Sequence, residues 1–106
     1  MADYLQVSTA TETREQAQAL AESIVRSRLA AGAQIIGPVS TAFWHLGEFG
    51  TGEEYRLLLT TTSARYAEFE EHLIEHHPWQ NPEVIATPIV AGAPAYLEWI
   101  GKSTTD

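Results

Sequence analysis

The chain of 106 residues contains no cysteine. That excludes a disulfide framework, a catalytic thiol, a Cys-X-X-Cys redox pair and any thiolate-held metal. Basic residues are scarce as well: six Lys and Arg face fourteen Asp and Glu, a formal net charge of −8. This balance repels phosphate backbones and anionic headgroups, so neither nucleic acid nor a membrane surface is expected as a partner. No apolar run approaches the ~18 residues of a membrane span. No basic segment followed by an apolar stretch stands at the start, and a cytoplasmic location is expected. With 44% hydrophobic residues, five prolines and seven glycines, what is present reads as one globular domain over residues 1–106. A domain of this size buries only about two-thirds of its unfolded surface, and with no covalent staple, association of subunits is the natural source of further burial.

Residues 4–10 alternate Leu5, Val7 and Thr9 with Tyr4, Gln6 and Ser8, the period-two pattern of a strand. Thr13-Arg14-Glu15-Gln16 is a capping box that opens a helix, whose apolar stripe of Ala17, Leu20, Ala21, Ile24, Val25 and Leu29 predicts an end near Gly32. A second strand from Ala33 to Trp44 is interrupted by Gly37-Pro38, a point for a bulge, bend or sheet edge. Three glycines between Trp44 and Gly52 predict a hairpin connection longer than two residues, with a mobile tip. The third strand, Glu53 to Thr62, is apolar on both sides around Leu57, Leu58 and Leu59, so both its faces should meet protein. Ser63 would cap a second helix from Ala64 to about His76, ended by Pro78. A fourth strand from Glu83 to about Ile89 and a short helix from Pro94 to about Gly101 complete the chain.

The order βαββαβ plus a helix predicts an α+β, ferredoxin-like sandwich: an antiparallel four-stranded sheet with both crossing helices on one face. Nothing remains to cover the other face, which points to packing between subunits.

The side chains that bear chemistry are few. His72-Leu73-Ile74-Glu75-His76 has the H-x-x-E-H spacing of inverted zinc peptidases. Such sites need a further carboxylate from a distant helix in a larger domain, which leaves two readings: a surface pair that chelates copper, nickel or zinc on adjacent turns, or two exposed polar residues. His77 extends the stripe of Tyr66, Phe69 and Leu73 and should be half-buried, either bonding a backbone carbonyl at the helix end or serving as a ligand or proton donor beside Trp79 and Glu83. Glu48, Glu53 and Glu54 surround the hairpin and could gather cations. Gly50-Thr51-Gly52 lacks the sequel of a phosphate loop, and no serine sits in a nucleophile elbow. Arg14 could meet an anion, but topology alone assigns no activity. Trp44, Trp79 and Trp99 stand at element boundaries, where amphipathic rings seal pockets or interfaces.

Leu29-Ala30-Ala31, the Trp44, Gly47 and Glu53-Glu54 hairpin, Thr61-Thr62, His77-Pro78-Trp79 with Pro82-Glu83, and Pro94-Ala95-Tyr96-Leu97-Glu98-Trp99 together resemble the CutA divalent-cation-tolerance proteins from about Val7 to Ile100. The resemblance implies a PII-like homotrimer, a tolerance role toward copper and other divalent ions, and no enzymatic activity. It places the intersubunit cleft at Trp44, His77, Trp79, Glu83 and Tyr96. The expected metal donors are His77, Glu83 and Glu54, with His72 and His76 as a surface pair, for copper, zinc or nickel held without tight binding. Gly32 stands where the family commonly has Cys, Thr60 where many members have Lys, and Trp79 where Tyr is usual. The alternative is a PII-like signalling module whose clefts take a small metabolite or a protein partner.

Overall fold

The computed structural model describes residues 3–105. The elements are β1 (Tyr4–Thr11), α1 (Arg14–Arg26), β2 (Gly32–His45), β3 (Glu48–Thr62), α2 (Tyr66–His76), β4 (Ile85–Pro88) and α3 (Pro94–Ser103). The strands form one antiparallel sheet in the order β2-β3-β1-β4, the ferredoxin-like arrangement expected from the sequence. Among the described residues no helix is long and apolar enough to cross a membrane.

Register decides what each face carries. Val7 lies opposite Leu59 and Thr9 opposite Leu57, so period two sends Val7, Thr9, Thr11, Leu57, Leu59 and Thr61 to one side, and all six are fully buried. Ala17, Leu20, Ala21 and Ile24 of α1 and Phe69 and Leu73 of α2 close over that side. Full burial of a side chain such as Phe69 stabilises by about 1.5–3 kcal/mol. The other side carries Gln34, Ile36, Arg56, Leu58, Ser8 and Ile85, with Ile36 and Ile85 about half exposed.

α1 starts at the expected capping box: Gln16 N donates to Thr13 Oγ1 at 3.1 Å, and Thr13 N to Gln16 Oε1 at 3.2 Å. Its end differs from the expected one near Gly32. The helix stops at Arg26, because Arg28 turns left-handed (φ 61°) and its N–H reaches Val25 O at 3.0 Å while Leu29 N reaches Ile24 O at 3.2 Å. These two bonds are a Schellman stop, and Leu29 and Ile24, both buried, supply its apolar contact. Leu29 therefore belongs to the apolar stripe without being helical.

The β2–β3 hairpin also departs from the expected connection of more than two residues. His45 pairs with Glu48 across a two-residue turn in which Leu46 (φ 51°) and Gly47 (φ 80°) both have positive φ, the primed geometry that matches strand twist. Gly50 is not a loop residue. It lies opposite Phe43, whose Cε1 would be 2.9 Å from a Cβ built there, so the missing side chain makes a seat for the ring. The proline disruption in β2 occurs as expected, with Gly37-Pro38 cis and the register shifted between Ile36 and Val39.

Three boundaries move. A 3-10 turn, Ser63–Arg65, precedes α2, so the α-helix begins at Tyr66 and Ser63 lies inside the turn instead of capping a helix at Ala64. β4 spans only Ile85–Pro88, and Glu83 lies before it, meeting Arg56 through its side chain. α3 opens on Pro94 and runs past Gly101 to Ser103, where the Thr104 hydroxyl bonds Ile100 O at 2.9 Å.

Arg28→Gly should raise stability by about 0.5–1 kcal/mol, because a side chain in the left-handed region is strained and glycine is not. A urea midpoint that rises with an unchanged slope verifies this, and a lower midpoint refutes it.

Candidate functional site

β1 and β3 each place one polar side chain at the middle of the sheet face away from α1 and α2: Ser8 opposite Leu58, and Arg56 opposite Ala10. Arg56 forks onto Glu83, with Nη2 to Oε2 at 2.7 Å and Nη1 to Oε1 at 3.1 Å, and Nη1 also reaches Glu54 Oε2 at 3.1 Å. The Ser8 hydroxyl donates to Glu83 Oε2 at 2.8 Å. A bidentate guanidinium fixes the carboxylate plane as well as its charge. The Arg56 hydrogen bonds hold the Glu83 carboxyl below the usual range against the opposing effect of burial, with Ser8 assisting. Arg56 is shifted up in return, chiefly by Glu83.

His77 caps the end of α2 and is 7% exposed. Its Nε2 lies 2.8 Å from Ala10 O, which can only accept, so Nε2 carries the proton; Nδ1 then accepts from Trp79 N at 3.0 Å. Burial pushes its pKa down, partly opposed by the Ala10 bond. Both ring nitrogens are thus in use, and the carbonyl-bonding role is the one the structure gives His77. Its imidazole presents no lone pair to a metal. The expected His77–Glu83 ligand pair is in this subunit two separate clamps, one tying α2 to β1 and the other tying the segment before β4 to β3.

His72 and His76 do come together. Their rings stack 4.0 Å apart, 18° from parallel. His76 Nδ1 donates to His72 O at 2.8 Å, and His72 Nε2 lies 2.8 Å from the Ser23 hydroxyl on α1. Burial, reinforced by His76, pushes the His72 pKa down, while Glu75 pulls it up. The aromatic residues expected at a cleft each meet a neighbour: Trp44 packs edge-on against Phe49, Trp79 tilts against His77, and Tyr96 against Trp99. Trp44 and Tyr96 are exposed and Trp79 is half-buried. Among the described residues, no three His, Asp or Glu side chains gather closely enough to hold one ion.

Sequence reasoning missed Ser8, Arg56 and Ser23. Alternation had placed Ser8 and Arg56 on the non-core faces of their strands; only the long-range register shows that the two meet through Glu83.

The family model for the CutA1 divalent ion tolerance protein matches residues 5–103. The chain belongs to this CutA1 family. The divalent-cation tolerance protein CutA of Thermus thermophilus is 32% identical over 92 residues, covering 87% of this chain and 89% of the relative. The chloroplastic CutA proteins of Oryza sativa and Arabidopsis thaliana are 34% and 35% identical over 88% and 86% of this chain. The chain spans about half the length of these plant relatives, 52% and 50% respectively. The solved CutA1 structures from Thermus thermophilus and Oryza sativa superpose with TM-scores of 0.92 and 0.93 at 29% and 31% identity, covering 96% and 99% of this chain and 99% and 96% of theirs. The indole of Trp99 lies 3.5 Å from where a Gly32 Cβ would stand.

Because His77 has a lowered pKa when folded, the unfolded chain binds its proton first as pH falls below the ordinary 6.5. Stability is therefore complete above that value and is lost as pH drops through the folded pKa. His72 acts in the same direction, and Glu83 adds a further loss below its ordinary 4.5. Urea midpoints should fall between about pH 7.5 and about pH 5, and His77→Gln should flatten that slope. A wild-type midpoint independent of pH over this window would contradict the assignment.

Proposed function

We propose that this CutA1-family chain acts in divalent-cation tolerance as a homotrimer that takes up divalent metal weakly through His and Glu side chains near its subunit boundaries, without catalysing a reaction. The observation that carries the reading is the sheet face opposite α1 and α2, which Trp99 of α3 meets at Gly32 and where Ile36 and Ile85, each about half exposed, flank the Arg56–Glu83 pair together with Leu58. Among the described residues the sheet ends in two unpaired edges, β2 on one side and β4 on the other. Unpaired edges invite pairing with another chain. Pairing β2 of one copy with β4 of the next is head-to-tail, and such contacts close into rings when the rotation allows. The threefold number comes from the family resemblance. The charge of −8 draws cations toward any such assembly.

Among the expected donors, His77 and Glu83 would have to give up bonds to Ala10, Trp79, Ser8 and Arg56 before meeting a metal, and Glu54 already meets Arg56 through Oε2. That favours the surface pair His72 and His76 over His77, Glu83 and Glu54. The plant relatives are named as chloroplastic, so family membership sets no compartment, and the cytoplasmic assignment is part of the proposal.

Native mass spectrometry after exposure to equimolar copper, zinc and nickel reads assembly and uptake together. The expected species is three times the monomer mass with metal retained in part, shifting to monomer in a Leu58→Glu, Ile85→Glu double variant. A wild-type monomer refutes the assembly, and a trimer that never carries metal refutes the uptake.

Exposed aromatic rings at Trp44, Tyr96 and Trp99 favour a second reading, a PII-like module whose clefts take a small metabolite. A ligand at 100 times its Kd adds about 2.7 kcal/mol of stability. Thermal-shift panels of nucleotides and organic anions that produce no stabilisation would dismiss it.

A further inference from the structure

Residues 68, 72, 75 and 76 follow one another at i, i+4, i+7 and i+8 along α2, so Glu68, His72, Glu75 and His76 share one stripe of the helix. Beside this stripe lies a hollow of about 190 Å³ lined by Leu29, Glu68, Glu71, His72 and Glu75. Three carboxylates and an imidazole around one depression give it a strongly cation-attracting field. The two imidazoles carry different bonds. His76 donates its Nδ1–H to the His72 carbonyl, the bond that fixes the tautomer and leaves Nε2 with its lone pair outward. Ser23 on α1 orients the His72 ring from its Nε2 side.

We propose that this face of α2 binds one divalent transition ion through the imidazoles of His72 and His76, with water completing the shell and the flanking glutamates supplying charge. The proposal rests on the metal-uptake reading above and assigns that uptake to a particular place. The stacked rings lie nearly parallel, so binding requires the exposed His76 ring to swing about its side-chain torsions until the two nitrogens converge. Two nitrogen donors select copper, nickel or zinc; magnesium and calcium prefer all-oxygen shells. Both rings must be neutral to ligate.

The probe is Cu²⁺ added to the full chain at neutral pH, read by calorimetry and by electron paramagnetic resonance. One ion per subunit with two-nitrogen hyperfine structure is expected. His72→Asn and His76→Ala should each weaken binding roughly a hundredfold, the lower end of what a linked second ligand contributes, and leave a single-nitrogen spectrum. His45→Ala, at the hairpin, should bind like wild type. Circular dichroism and mass spectra identical to wild type would show that the variants still fold and assemble. Unchanged affinity and spectrum in the His72→Asn, His76→Ala double variant overturns this site while leaving uptake elsewhere intact. Absence of Cu²⁺ binding by the wild-type chain overturns both this site and the uptake reading.

Discussion

Antiparallel pairing of β1 with β3 is the constraint on which the rest of the molecule hangs. With Val7 against Leu59 and Thr9 against Leu57, the two central strands form one dry surface on which both crossing helices rest. A slip of one residue would exchange every side chain between faces. It would carry Ser8 and Arg56 into the core and leave Leu57 and Leu59 in water. The same register sets the position of Ala10, whose carbonyl receives His77 from the far end of α2. Core, helix clamp and ion-pair network thus depend on one alignment.

The two faces of the sheet are built on different principles. The helix-covered face relies on close-packed apolar contact. Its polar exceptions are threonines, of which Thr61 donates to Leu29 O at 2.6 Å and Thr11 to Thr13 O at 2.8 Å. The other face mixes aliphatic side chains with a charge network that is satisfied within the subunit. A partly buried arginine held by two carboxylates, one of which also accepts from the Ser8 hydroxyl, resists being left half-paired, since losing one partner strands a charge. A surface whose charges already have partners can meet another surface without desolvating a bare ion, which suits it to lie inside an assembly.

The fold was legible in the sequence because its signals are local. Alternation in residues 4–10, the Thr13–Gln16 box, Gly37-Pro38 and Pro94 each mark an element through near neighbours, and each stands where expected. Two departures share one cause: a residue whose usual role was overridden by its surroundings. Arg28 takes a left-handed position that glycine normally fills, so the α1 stop could not be read from glycine placement. Gly50 resembles a loop marker but lies inside a strand because Phe43 occupies its missing side chain's space. At the candidate site, local pattern located the His72–His76 pair and pointed to His77, which is buried where half burial was expected. It could not find the Arg56–Glu83–Ser8 network, whose members come from three strands or strand ends and meet only after the long-range register is set. Nor could it decide between the two roles weighed for His77, because its partners, Ala10 O and Trp79 N, are backbone atoms and leave no trace in residue type.

The central position of β1 has a consequence for the order of folding. The β2–β3 ribbon joins neighbours in the chain across a two-residue turn, so its loop closes with little loss of entropy. β1 must wait for partners at residues 55–62 on one side and 85–88 on the other. Contacts of such sequence separation form slowly. β1 is therefore the strand enclosed last, and Val7, fully buried in the finished sheet, gains its second neighbouring strand only when Ala86 is in place.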